Sequence, residues 1–249
     1  MDGPLYVSDQ RTLNPFSQRF IEAAVQAGMK INHDFNGEHQ EGVGLYQVTQ
    51  YMGERWNTAR AYLHRGNAAD KSHSGRRPGL AVMTGTVALR VEFEGKRATG
   101  VRIVRDGVER SLRARREVIL SAGAFNSPQL LMASGVGPGA HLREFGIPVV
   151  HDLFGVGENL QDYIDVTIRK EVPSADLYGY SQRNIMRMIP ELMRYRRDRS
   201  GMFSSNVVEA GGFMRTSPDL PEPDLQFAFI LALLGNRGKD RDKKMPPGL

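Results

Sequence analysis

The sequence predicts a mixed α/β fold, and three observations carry that prediction. The 249 residues are 40% hydrophobic and 24% charged, the proportions of a globular chain with room for one large or two modest domains. Between Val87 and Arg115, strand patterns follow one another across Glu94-Gly95-Lys96 and Asp106-Gly107, and Asp-Gly is a strong hairpin signal, so this stretch reads as an antiparallel meander. Next, the apolar run Glu117–Leu120 leads through a small-residue turn into a helical pattern, a passage that brings backbone N–H groups near a ligand.

The elements follow in order. Asn14 is placed to cap a helix with Pro15 at its first position; Phe16, Phe20, Ile21, Ala24 and Val25 form its apolar stripe and Gly28 ends it. Asp34–Gly44 reads as a loop, Thr58–Leu63 as a short helix and Lys71–Gly79 as a flexible excursion. Strands are expected at Leu80–Met83, Val87–Phe93, Ala98–Val104 and Val108–Arg115. Glu117–Leu120 should be a strand buried on both faces. Asn126 or Ser127 then caps a helix with Pro128 in its first turn and Gly135 closing it. A short helix at His141–Phe145, a strand at Pro148–Leu153, an amphipathic Met-rich stretch to about Arg199 and a strand at Asp224–Leu234 complete the chain, the Met and aromatic positions of Tyr178–Phe203 reading most simply as core contacts of a helical segment, with the lining of an apolar substrate pocket as the alternative.

Composition excludes whole classes of chemistry. Zero Cys leaves no disulfide framework, thiolate metal site or cysteine nucleophile. The longest strong apolar run, Phe227–Leu234, falls far short of the ~20 residues of a membrane helix, so no integral membrane segment is expected. The opening residues have neither the basic nor the apolar region of a secretion signal, which makes a cytoplasmic protein the default. Net charge is +5, but the basic runs around Arg194–Arg199 and Arg237–Lys244 are interleaved with Asp, so they read as solvated surface and not as a nucleic-acid interface.

Two glycine clusters, Gly135-Val-Gly137-Pro-Gly139 and Gly155-Val-Gly157, lie in the wrong context for a dinucleotide fingerprint, and each reads as a turn. His33 and His39 flank an acidic loop (Asp34, Glu38, Glu41) but lack ligand spacing, so no metal site is expected and both read as loop histidines. No histidine qualifies as a catalytic base from spacing alone.

Taken together, Ser121-Ala-Gly-Ala-Phe-Asn-Ser-Pro-Gln-Leu-Leu-Met-Ala-Ser-Gly-Val-Gly137 resembles the second signature of the glucose–methanol–choline oxidoreductases. Gly155–Asp162 resembles the segment that follows it in that family. Gly3–Ser8, Asp34–Gly37, Gly42–Gly44, Asn57–Leu63 and Thr84-Gly85 resemble earlier family segments in the right order. The similarity extends at least to Phe229 and has the flavor of the bacterial choline and alcohol dehydrogenases.

The resemblance implies a partial Rossmann-like, FAD-binding domain carrying the meander, plus a partial substrate domain built on an antiparallel sheet. The expected division is 1–45 for a substrate-domain and cap segment, 46–163 for the FAD-binding segment and 164–249 for a further substrate-domain segment. It also implies that Val87 or Ala88 passes the adenine, and that Ser121, Ala122 and Gly123 turn beside the adenosine, where a larger side chain would occupy cofactor space. Asp165 either faces the substrate pocket or is a solvated loop carboxylate.

The implied reaction is oxidation of a small-molecule alcohol to an aldehyde or ketone, a histidine taking the hydroxyl proton while hydride passes to flavin. A quinone, dioxygen or another acceptor then takes the electrons, and peripheral placement at a membrane stays open. The amino-terminal glycine fingerprint and the histidine-bearing carboxy-terminal block of the family are not in this sequence, so no catalytic residue is assigned. The chain is expected to be an internal fragment, inactive alone, that binds FAD weakly or not at all and is prone to aggregate along unpaired strand edges. Tyr163 and Ala228 stand where the family commonly has His. A hydroxynitrile lyase shares the implied fold, but nothing in the residues favours it. The alternative from another class is a non-catalytic binding module with a basic surface.

Overall fold

The computed structural model describes residues 3–63, 79–170, 172, 174, 177 and 182–231. In chain order its elements are α1 (Pro15–Gln26), β1 (Gly42–Leu45), β2 (Gln50–Tyr51), β3 (Glu54–Arg55), a wide helical turn (Ala59–Leu63), β4 (Thr86–Glu94), β5 (Arg97–Arg105) and β6 (Val108–Arg113). There follow α2 (Gly123–Ala133), β7 (Val136–Gly137), α3 (Gly139–Glu144), β8 (His151–Asp152), α4 (Gln182–Asp198), a 3₁₀ turn (Met202–Ser204), β9 (Val208–Met214) and β10 (Leu225–Ile230). The chain divides into two compact units, one formed by residues 1–80 with 168–249 and the other by residues 81–167.

In the first unit, α1 begins as its sequence dictates: the Asn14 side chain accepts the Phe16 N–H at 3.0 Å, Pro15 follows, and Gly28 leaves the helix with φ +98°. Its apolar stripe places Ile21 in a core with Val43 and Ala210, flanked by Phe20, Ala24, Met29, Leu45 and Phe229. The Phe20 and Phe229 rings stack at 4.6 Å. The sheet beneath is antiparallel in the order β1-β9-β10, with Val43 opposite Gly212 and Phe227 opposite Gly212. At Gly211 a side chain would collide with the Tyr46 ring, which crosses the sheet so that its hydroxyl donates to the Phe227 carbonyl at 2.7 Å.

The buried centre of this unit is polar. Glu209 is fully buried on β9. One of its carboxylate oxygens accepts the Asn14 N–H at 2.7 Å and the Ser17 hydroxyl at 2.8 Å, and the other accepts the Ser205 hydroxyl at 2.6 Å. The carboxylate therefore sits at the positive end of α1 and ties that helix to the middle strand.

The expected loop over Asp34–Gly44 is shorter than predicted, because Gly42–Gly44 belong to β1. These glycines serve close approach: Val43 N–H donates to the Lys30 carbonyl and Asn32 N–H to the Val43 carbonyl, both at 2.9 Å, and a side chain on Gly44 would strike the Asn32 carbonyl.

α4 corrects a second expectation. It is held through its polar side: the Glu191 carboxylate accepts the Met202 N–H at 2.9 Å, and the Tyr195 hydroxyl donates to the Gly53 carbonyl at 3.3 Å. Met186, Ile189 and Met193 consequently face outward and are not core contacts. The predicted excursion at Lys71–Gly79 and the end of the Asp224–Leu234 strand lie outside the described residues, apart from Gly79 itself and the strand up to Leu231.

In the second unit the meander forms as read, in the antiparallel order β4-β5-β6, with Val91 opposite Val101 and Val101 opposite Leu112. Asp106 and Gly107 both take positive φ (52° and 74°), the pair of left-handed residues that a two-residue hairpin requires. Leu89 is an extra residue in β4, inserted between the Ala88–Ile103 and Arg90–Arg102 pairs.

Three expectations here are overturned. Leu80–Met83 forms no strand. Glu117–Leu120 is neither a strand nor buried on both faces, and Ile119 is 76% exposed. A short apolar run becomes a buried parallel strand only with hydrogen-bonded neighbours, and among the described residues none pairs with either run. The third is Pro148–Leu153, where only His151–Asp152 is paired, in parallel with Val136–Gly137.

Candidate functional site

After β6 the chain runs irregularly to Ser121 and turns into α2 at Gly123, four residues earlier than a cap at Asn126 would allow. Ser127 explains the early start. Its hydroxyl accepts the Ala122 N–H at 3.0 Å, reaching back from inside the helix and fixing the turn, so Pro128 falls in the helix body. Gly123 has φ +89°, a left-handed conformation that strains any L side chain, and nothing lies within 4 Å of where its Cβ would be. Ser121, Ala122 and Gly123 are all exposed, the first turn of α2 holds no acidic residue, and no side chain of Ala122 caps it. The result is a bare backbone corner at a helix N-terminus, with a ready positive pole for a phosphate-bearing or otherwise electron-rich ligand.

The other end of α2 is anchored. The Ser134 hydroxyl accepts the Val91 N–H at 2.7 Å and donates to the Leu130 carbonyl. This joins the helix to β4, the strand that carries Val87 and Ala88. Both of those residues are exposed, and they immediately precede the extra residue at Leu89. Of the five residues singled out as cofactor contacts, Val87 and Ala88 lie on β4, Gly123 opens α2, and Ser121 and Ala122 lead into it; α2 packs on β4 in one unit, and Ser134 bonds the far end of the helix to that strand. Ser134 itself went unread in the sequence; a polar residue closing an otherwise apolar helix end next to a strand is the signal that could have found it.

Asp165 lies elsewhere, in an exposed extended segment that belongs to no helix or strand; its neighbours Tyr163 and Ile164 are 93% and 97% exposed. The glycines at 135–139 are packing residues. Gly139 N–H donates to the Asp152 carboxylate at 2.8 Å, and a Cβ there would meet the same carboxylate at 2.7 Å, while one at Gly137 would meet Met132 at 2.8 Å. On the face of the meander, the Ser111 hydroxyl and the Arg102 guanidinium hold the Glu92 carboxyl below the usual carboxylate range. Among the described residues no three His, Asp or Glu side chains are placed to share a metal ion, and no helix is long and apolar enough to cross a membrane.

The fold is thus mixed α/β, with antiparallel sheets in both units and a strand-bound helix presenting an open N-terminal corner. The same architecture occurs in solved oxidoreductases. A formate oxidase superposes with TM-score 0.70 at 23% identity over 92% of this chain and 43% of its own, and an FAD-dependent oxidoreductase from Chaetomium thermophilum with TM-score 0.69 at 26% identity over 86% and 37%. The sequence profile of the GMC oxidoreductases matches residues 1–165, and the chain belongs to that family. Among curated relatives it is 45% identical over 240 residues to "Alcohol dehydrogenase [acceptor]" of Pseudomonas putida, covering 96% of this chain and 42% of that one. It is 41% identical to "Choline dehydrogenase, mitochondrial" of Mus musculus, covering 96% and 38%. The chain therefore spans about two-fifths of the length of these relatives.

Proposed function

We propose that this chain is the part of an FAD-dependent alcohol oxidoreductase that receives the nucleotide end of the flavin. The observation that carries the reading is the bare corner at Ser121–Gly123, where glycine is demanded by a φ of +89° and the Cβ direction is left open. Such a corner fits a nucleotide: small residues let the ligand approach the backbone, and the helix N-terminus favours its electron-rich groups.

In this reading Ser121, Ala122 and Gly123 line the adenosine, Val87 or Ala88 passes the adenine by its backbone, and Ser134 is the positioning residue that keeps the two elements in register. FAD, when bound, supplies the acceptor for a hydride taken from the alcohol carbon. The names of the P. putida and mouse relatives support a small-molecule alcohol as substrate, with choline one candidate. A quinone or similar acceptor would reoxidise the flavin. The relatives' greater length supports a site completed by further polypeptide, with residues 46–163 serving the cofactor and 1–45 and 164–249 serving the substrate side, to which Asp165 would belong.

The test is Ala122→Phe in the complete enzyme. Ala122 is exposed at the corner, so the protein should fold and melt as before while its bound flavin falls about tenfold or more by absorbance, a loss of at least one decade in affinity. Choline and aliphatic and aromatic alcohols screened with a quinone-like dye then sort the substrate class. A colourless wild-type enzyme, or an Ala122→Phe variant with full flavin content, would overturn the reading.

A further inference from the structure

The sequence holds a single Asn-Gly pair, Asn36-Gly37. Asparagine amides are chemically labile, and a following glycine, with no side chain to shield its nitrogen, is the neighbour most open to the cyclisation that destroys them. In that reaction the Gly37 backbone nitrogen bonds to Asn36 Cγ, the Cγ–Nδ2 bond breaks, and ammonia leaves with the proton of the Gly37 amide. Water then opens the cyclic imide at either carbonyl and leaves aspartate or isoaspartate at position 36. The loop around the pair is braced against this step. The Asp34 carbonyl accepts the Gly37 N–H at 3.1 Å, closing a turn over Phe35 and Asn36, and the Asp34 carboxylate accepts the Asn36 N–H at 3.0 Å. Asp34 is itself held: its N–H donates to Asn32 Oδ1 at 2.8 Å, and the Asn32 side-chain amide donates to the His39 carbonyl at 2.8 Å and the Glu41 carbonyl at 3.3 Å. Phe35 is buried inside the turn, its ring 5.3 Å from that of Tyr46 and 5.2 Å from that of Phe213, which pins the turn beside the sheet.

We propose that Asn36 is the site at which this protein ages by deamidation, and that Asp34 is the residue that restrains it. A nitrogen whose N–H is donated to the Asp34 carbonyl is not free to approach Asn36 Cγ. Cyclisation requires the peptide between Asn36 and Gly37 to rotate out of the turn, and both bonds to Asp34 break as it does so. The imide therefore forms from the opened loop alone, and its rate follows the population of that local opening. The change is one-way. Isoaspartate lengthens the backbone at the centre of the turn and sets a new carboxylate beside that of Asp34, so the turn that seats Phe35 against Tyr46 and Phe213 does not close again.

The experiment ages the complete holoenzyme in warm, mildly alkaline buffer and follows Asn36 by peptide mapping and by enzymatic methylation of isoaspartate. A synthetic peptide of residues 32–41, aged beside it, is the reference without the brace. The peptide should deamidate about tenfold or more faster than the same segment in the wild-type enzyme, because two hydrogen bonds to Asp34 must first open in the protein. Asp34→Ala should speed the reaction at Asn36 about threefold or more, while Asp34→Asn, which keeps an acceptor oxygen at the same place, should stay near the wild-type rate. Asn126-Ser127, in the other unit, reports general unfolding in the same maps, and its rate should be equal in all three proteins. A wild-type segment that ages as fast as the peptide, or an Asp34→Ala rate equal to wild type, overturns the proposal. So does an Asp34→Asn variant as fast as Asp34→Ala, or acceleration at Asn36 and Asn126 together, since general unfolding and not the Asp34 brace would then control the rate.

Discussion

Replacing Glu209 with alanine removes the carboxylate at the centre of the first unit. Its two oxygens accept the Asn14 N–H, the Ser17 hydroxyl and the Ser205 hydroxyl at 2.6–2.8 Å, in a residue with no exposed surface. A single hydrogen bond to a charged group contributes roughly 1.5–3 kcal/mol. Three bonds to one carboxylate do not add, because the released donors relax together and water enters the vacated volume. The substitution leaves one buried amide and two hydroxyls without their acceptor, each costing about 1–3 kcal/mol where it stays unsatisfied, so the expected loss is about 3–5 kcal/mol. Against the ~5–15 kcal/mol that separates a folded domain from its unfolded state, it is a large share. Urea unfolding, followed by Trp56 fluorescence and by circular dichroism, reads it as a fall in the transition midpoint. Glu209→Gln keeps one acceptor oxygen and should fall between wild type and alanine. A cycle combining Glu209→Gln with Ser17→Ala isolates the contact with α1 and should return a coupling above about 0.5 kcal/mol. If Glu209→Ala moves the midpoint by the equivalent of less than about 1 kcal/mol, the carboxylate does not tie α1 to β9 and the argument fails.

Ser134→Ala leaves the Val91 amide without its 2.7 Å acceptor and should cost about 1–3 kcal/mol, with hydrogen exchange at Val91 accelerating more than in β5. Hydrogen bonds from the Arg215 side chain and backbone hold the Glu41 carboxyl below its ordinary value, and the Thr216 hydroxyl and amide do the same for Asp224. A depressed carboxylate stabilises the fold fully above its unfolded pKa and loses that contribution as pH falls through the folded one, so the unfolding midpoint should drop on acidification and Glu41→Gln should flatten that limb. Burial pushes the Tyr46 phenol up, which has the opposite sign. Its contribution is complete below the unfolded phenol value and fades as pH climbs through the folded one, so Tyr46→Phe should blunt alkaline unfolding while losing the 2.7 Å bond to Phe227, as phenolate absorbance and melting curves would report.

What the sequence made legible was local. Asn14, Pro15 and Gly28 bound α1 because capping chemistry acts within a few residues, and Asp106-Gly107 set the meander because few residues other than glycine, asparagine and aspartate tolerate the left-handed positions of a two-residue hairpin. The nucleotide corner was readable as a run of small residues before a helix. Its true start at Gly123 was not, because the Ser127 hydroxyl reaching back to the Ala122 amide competes with the more usual cap. Glu117–Leu120 misled because strand formation depends on neighbours that four residues cannot specify. The Met-rich helix misled for a related reason: periodicity identifies a stripe but not the side to which it turns, and two polar contacts from Glu191 and Tyr195 decided that. Glu209 had a signal that went unused, a single acid within an otherwise apolar and glycine-rich strand.

The bond from Val91 to Ser134 also bears on how the meander ends. β4 is an outer strand, and a row of free outward amides there would invite another chain to add itself. The extra residue at Leu89 breaks the row's spacing, and two residues later the Ser134 hydroxyl occupies the amide that a visiting strand would need. The link that sets the corner in place therefore also seals the flank of the ribbon against recruitment.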